Sequence, residues 1–226
     1  MENKKLLTLT LGGLSIGTTE FVMMGILPQV AKDFAITIPE AGHFIASYAL
    51  GVVIGAPLFA ITCSKLPPKK LLLILMSIFT LFNGLTALST GHTMMVFTRL
   101  MSGLPHGAFF GVGSVVAARL ATKGKEAAAM SIMFAGLTIA NIAMVPLGTY
   151  IGLHYSWRYV FAIIAVLGLL TVIFIAKVLP ALPANPSGSI QKELGIFKRP
   201  MVWLMILITA IGTGGLFAWI SYIAPC

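Results

Sequence analysis

Charge is what this chain has least of. Only 9% of its 226 residues are Asp, Glu, Lys or Arg, and just six are acidic, where a typical soluble domain carries about 25% charged residues. Together with a hydrophobic content of 58%, that scarcity excludes a water-soluble globular domain. Cysteine is nearly absent as well. Cys63 and Cys226 fall on opposite sides of the membrane in the topology below, so no internal disulfide is expected. No glycine-rich phosphate loop precedes a lysine and a hydroxyl residue, and no G-x-S-x-G turn presents a nucleophile. The nearest histidine to Ser114 is His106, about 12 Å away along one helix, too far for a nucleophile and its base. His43, His92, His106 and His154 show no metal-ligand spacing with one another or with the cysteines. An enzyme, a bound metal and a cofactor are therefore not expected.

What the chain does have is long apolar runs: Leu6 to Val30, Ala41 to Thr62, Leu71 to Ser89, Thr93 to Ala118, Ala127 to Gly152, Trp157 to Val178 and Met201 to Ile223. Each reaches the roughly 17–25 residues that a helix needs to cross a bilayer. The spacing predicts an all-α membrane protein of seven spans. Residues 1–179 form a six-helix bundle, 180–200 a polar linker marked by Pro180, Pro183, Pro186 and Pro200, and 201–226 a seventh helix.

The basic residues divide unevenly between the two sides. Lys4, Lys5, Lys65, Lys69, Lys70, Arg119, Lys123, Lys125, Lys177, Lys192, Lys198 and Arg199 share one side, and only Lys32 and Arg158 lie on the other. The positive-inside rule makes the first side, with the amino terminus, cytoplasmic. The net charge of +9 is then a matter of topology. Contact with anionic lipid headgroups follows from it, and nucleic acid is not an expected partner.

Two charges sit inside the apolar runs, Glu20 and Arg99. An ionised group at bilayer depth costs at least about 2.5–3.5 kcal/mol, so it persists where it faces a partner or a watery cavity. Running the helices at their ordinary rise puts Glu20 roughly 15 Å and Arg99 roughly 9 Å below the outer surface, close enough to meet directly or through water. A carboxyl there stands between two opposed influences, loss of water and a neighbouring guanidinium. Such a balance suits a proton taken up on one side and released on the other. Arg99, Ser102 and His106 share a helix face, and Thr18 and Thr19 adjoin the acid. His106 is either a packing residue or a proton relay; Asn141 and Thr138 are either substrate ligands or interhelical hydrogen-bonding groups. The bland alternative for Glu20 and Arg99 is an ion pair that fixes helix register.

Small residues recur at helical spacing. Gly103, Gly107 and Gly111 form a stripe on helix 4, and Gly136, Ala140, Gly148 and Gly152 continue along helix 5. Such faces allow close helix packing, and Pro105 and Pro146 delete backbone hydrogen bonds where local kinks would form.

These residues carry a resemblance. Gly17-Thr18-Thr19-Glu20-Phe21, Ser47-Tyr48-Ala49-Leu50-Gly51, Arg99-Leu100-Met101-Ser102-Gly103 with Pro105-His106-Gly107, Ala140-Asn141 with Val145-Pro146-Leu147-Gly148, and Trp157-Arg158 together resemble the major facilitator superfamily. Within it they are similar to the drug or sugar proton antiporters of the bacterial arabinose efflux permease group. The resemblance implies a permease of the bacterial inner membrane that works by alternating access on protons and a small organic solute. It implies proton coupling or substrate binding at Glu20, Arg99, His106, Thr19 and Asn141, and hinge or packing roles for Gly103, Gly107, Gly111, Pro146 and Gly148. Such permeases have two six-helix halves, so this chain resembles the first half plus one helix, and alone is expected not to transport. A second half, or less favourably a second copy, would complete it. The chain departs from the family after helix 2, where Ser64-Lys65-Leu66-Pro67-Pro68-Lys69-Lys70 lacks the acid of the usual Asp-Arg-x-Gly-Arg-Arg run. An importer of the same fold and a structural membrane protein are the alternative readings, and the substrate is not legible.

Overall fold

The computed structural model describes residues 2–63, 65–184 and 195–223. Among the described residues seven helices are long and apolar enough to cross a membrane. They are α1 (Glu2–Asp33), α2 (Ile38–Thr62), α3 (Pro68–Ala87), α4 (His92–Leu120), α5 (Glu126–His154), α6 (Trp157–Val178) and α7 (Pro200–Ile223). The helices overrun several of the apolar runs, so the connections at 34–37 and 155–156 are shorter than the sequence pattern predicts, while the one at 88–91 is a residue longer.

Local chemistry explains these tight connections. Thr37 opens α2 with a capping box: its hydroxyl accepts from the Glu40 amide, and the Glu40 carboxylate accepts from the Thr37 amide at 2.8 Å. Asp33, at the end of α1, pairs with Arg158 at 2.5 Å and accepts from the Trp157 indole at 3.0 Å. Arg158 also donates to the Ser89 carbonyl at 2.9 Å and lies over the Trp157 ring. One guanidinium thus ties together the ends of α1, α3 and α6. At the opposite end, Lys69 donates to the carbonyls of Ala176 and Leu179, capping the last turn of α6. Lys69 belongs to the run that lacks the family's acid, and its charge serves helix capping there. Arg119 similarly donates to the Pro183 carbonyl.

α1 is the most buried span and touches α2, α4, α5 and α6; α3 packs between α4 and α6. Glycine sets the closest approaches. A β-carbon at Gly51, Gly55 or Gly103 would overlap backbone carbonyls of Leu100, Leu104 and Tyr48 respectively, so α2 and α4 meet backbone to backbone. Gly13 and Gly136 do the same between α1 and α5, Gly17 receives the side chains of Leu137 and Ala140, and Gly148 and Gly152 receive Val22 and Ile26. The helix 4 stripe therefore divides. Gly103 and Gly107 pack against α2, whereas Gly111 meets nothing within 4 Å, which corrects its reading as a packing residue. Gly55→Val is expected to lower stability by about 1–3 kcal/mol through overpacking, while Gly111→Val should change it by less than about 0.5 kcal/mol. Thermal unfolding of the two variants in detergent checks the contrast.

α5 is not uniform. Its middle, Ala140–Met144, widens into a π turn in which the Val145 amide bonds the Ala140 carbonyl. Pro146 follows at once and has no amide to give, so the ordinary ladder is already broken there. The proline expected to kink the helix thus sits beside a wide turn. Of the linker expected over 180–200, residues 185–194 lie outside the described residues; a 3₁₀ turn, Gly195–Lys198, leads into α7 at Pro200. Large side chains of α7 such as Trp203, Leu207 and Ile211 are exposed, and Phe217 rests against Phe21 of α1 with ring centroids 5.4 Å apart. Cys63 is a free thiol, and Cys226 lies outside the described residues.

Candidate functional site

Consecutive residues of α1 face different surroundings because each helical step turns the side chain by about 100°. Thr18 and Thr19 are sealed in the bundle, at 1% and 0% exposure. Glu20 comes back to the open face, with its side chain 17% exposed. Its partner is His106 of α4: the Glu20 Oε2 to His106 Nε2 distance is 3.9 Å. On the far side of the imidazole, Nδ1 lies 3.0 Å from the Tyr48 hydroxyl of α2. His106 is thus held between a carboxyl and a phenol, one on each ring nitrogen.

Arg99 makes no direct ion pair with Glu20, although the two groups remain within electrostatic reach of each other. The guanidinium is fully buried and lies over the Tyr48 ring at 4.3 Å, with the Phe161 ring 5.7 Å away. Nη1 donates to the Thr19 hydroxyl at 2.9 Å, and Nε donates to the Phe44 carbonyl at 3.4 Å. Thr19 in turn donates to Asn83 Oδ1 at 2.6 Å, and the Asn83 amide donates to the Phe79 carbonyl. The expected pairing of acid and guanidinium is therefore replaced by a polar line, Glu20–His106–Tyr48–Arg99–Thr19–Asn83. It runs from a half-open face into a closed core. Thr19, expected beside the substrate, belongs to that closed part.

Asn141 stands apart. It sits in the π turn of α5, is exposed, and its amide donates to the Leu137 carbonyl of its own helix at 3.1 Å. The described contacts do not bring it to Glu20. Asn83 is a residue that the pattern left unremarked, and Tyr48 stood in the Ser47–Gly51 segment without a role of its own. Asn83 could have been found as the lone amide in the third apolar run, whereas Tyr48 carries no such signal.

Around the acid the surface is aromatic. The Phe110 ring lies 5.3 Å from His106 and stacks on Phe134 at 5.0 Å, so α4 and α5 share a ring-lined patch beside His106. Starting at Gly107, next to His106 in the chain, a cavity of about 430 Å³ extends between α2 and α4 past Gly111 to Arg119. Its walls are mostly apolar, from Ala56 and Phe59 to Val112 and Val115. No group of three or more His, Cys, Asp or Glu side chains among the described residues is arranged to hold a metal ion.

Seven helices long and apolar enough to span a membrane, glycine-packed pairs and a submerged acid on a small-residue helix describe a multi-pass membrane protein. The chain belongs to the Major Facilitator Superfamily, whose family model matches residues 9–225. It is 42% identical over 223 residues to the inner membrane transport protein YdhP of Escherichia coli K12, covering 99% of this chain and 57% of that protein. It is 36% identical over 221 residues to the uncharacterized MFS-type transporter YtbD of Bacillus subtilis 168, covering 97% of this chain and 56% of the relative. Among solved structures, a bacterial homologue of the human lysosomal transporter Spinster, in an inward-facing and unoccupied conformation, superposes with a TM-score of 0.78. At 14% identity, with 99% of this chain and 55% of that one covered, the match is one of fold. The chain spans just over half the length of the relatives it matches. Both family and relatives are membrane transporters, in agreement with the absence of enzyme motifs in the sequence.

Proposed function

We propose that this chain forms the proton-handling half of a permease that exchanges protons for a small organic solute. The observation that carries the proposal is the Glu20–His106 pair, 3.9 Å apart and partly open. It stands at the mouth of a polar line that is otherwise sealed. In this reading Glu20 takes a proton when the site opens to one side and gives it up, or exchanges it for solute, when it opens to the other. His106 acts as its immediate proton partner. Arg99 is a positioning residue: it acts through the Tyr48 ring, whose hydroxyl fixes the imidazole.

The aromatic patch of Phe110 and Phe134 favours a solute with an apolar or ring-shaped face. The π turn and Pro146 in α5 give that helix a place to flex during alternating access. Similarity to the inner membrane transport protein YdhP supports placement in an inner membrane, and the crowding of basic residues at the α2–α3 end supports a cytoplasmic amino terminus. Because the relatives are nearly twice as long, a second six-helix half is proposed to complete the cavity. α7 would begin it, and residues 180–200 would join the two. Export is the proposed direction.

The test is flux in sealed vesicles holding the complete transporter. An imposed proton gradient should drive solute outward against its concentration, with protons moving the opposite way. Solute movement that is indifferent to the gradient would overturn the proposal.

A further inference from the structure

A pair of histidines lies at the end of the bundle remote from the cavity, and the proposed transport cycle makes no use of it. His43, on the second turn of α2, and His92, the first residue of α4, are 49 positions apart in the chain. Folding brings His43 Nδ1 to 3.4 Å from His92 Nε2, with the rings nearly perpendicular at 80°. An N–H bond between them would be long against the usual range of about 2.7–3.2 Å. The same separation fits another arrangement. Two imidazole nitrogens bound to one tetrahedral ion at 2.0–2.1 Å each stand about 3.3–3.4 Å apart.

We propose that His43 and His92 form an open binding site for a divalent transition metal ion of the zinc class, clipping the end of α2 to the start of α4. Imidazole favours such borderline cations over calcium or magnesium. The two coordinating atoms are His43 Nδ1 and His92 Nε2, so each ring keeps its proton on the other nitrogen. Water completes the coordination, because the pair is exposed to solvent.

Neighbouring groups hold the ligands in place and balance the charge. Phe44 packs against the His92 ring with centroids 5.1 Å apart, restricting its rotation. Glu40 lies one turn before His43 on α2 and interacts electrostatically with both imidazoles. Its carboxylate already accepts from the Thr37 amide and hydroxyl at 2.8 Å each. It therefore contributes negative charge nearby and is not counted as a ligand. The glycine contacts that bring α2 and α4 together fix the distance between the two helices, so the site is preformed.

The test is zinc binding to the chain in detergent, purified without a polyhistidine tag, by titration calorimetry together with thermal unfolding. One zinc ion per chain and a rise in unfolding temperature are expected. Both should be lost in His43→Gln and in His92→Gln and kept in His154→Gln, whose ring is bonded to the Tyr150 carbonyl elsewhere on the surface. His92 packs on Phe44 and its replacement can disturb folding, so the exposed His43→Gln variant is decisive. Zinc uptake that survives His43→Gln would overturn the proposal. So would uptake lost equally in His154→Gln, or none saturable in the unaltered chain.

Discussion

Glu20→Gln in the complete transporter is expected to reduce gradient-driven solute flux to the level of protein-free vesicles. Stability should change by less than about 1 kcal/mol, as is usual for substitutions that open no cavity and bury no unpaired group. The amide keeps the size of the side chain and removes only its capacity to gain and lose a proton. The position is partly open and 3.9 Å from His106, and the buried Arg99 keeps its hydrogen bonds to the Thr19 hydroxyl and the Phe44 carbonyl. Exchange of labelled solute at equal concentrations on both sides should persist, because it needs no net proton movement. Parallel measurements of gradient-driven flux and of exchange check both halves of this expectation. A variant that retains full proton-driven flux would remove Glu20 from the proposed role.

Arg99→Lys is expected to fail differently, by losing both stability and coupling. Arginine meets four groups at once: the Thr19 hydroxyl, the Phe44 carbonyl and the faces of Tyr48 and Phe161. An ammonium offers a compact point charge in place of a flat fork. It leaves at least one buried acceptor unpaired, at a cost of about 1–3 kcal/mol. Tyr48 then loses the cation against its ring, and the hydroxyl that holds His106 loses its fixed position. A lowered unfolding temperature together with impaired coupling is the expected result. A lysine variant with unchanged unfolding and flux would show that the polar line does not act as a unit.

The contrast between these two residues also measures how far the sequence could be read. Glu20 and Arg99 stand out because charges interrupt apolar runs, and both lie on the polar line that runs from Glu20 to Asn83. Their partners do not follow from that pattern. One step along α1 separates Thr19 from Glu20, and that step decides which of them faces the arginine. Arg99 and His106 are two turns apart on one face of α4, so the acid meets the histidine end of that face while the arginine turns inward. Depth below the membrane surface alone could not distinguish these outcomes.

Glycine spacing was legible as close packing, and the α2–α4 and α1–α5 contacts agree with it. Gly111 fits the same spacing yet faces the cavity, since a four-residue period drifts around a helix that has 3.6 residues per turn. The π turn at Ala140–Met144 leaves no mark on an apolar pattern; only Pro146 points to it. The meeting of His43 and His92 depends on how two helices are placed, which no local spacing records.

The central claim is that Glu20 opens onto water while Thr18 and Thr19 on the same turn do not. Single cysteines at position 20 and at Thr18, in a background with Cys63 and Cys226 replaced by serine, test it through reaction with a membrane-impermeant thiol reagent. Rapid labelling at position 20 and none at position 18 is the predicted result. Equal resistance at both positions would contradict the account.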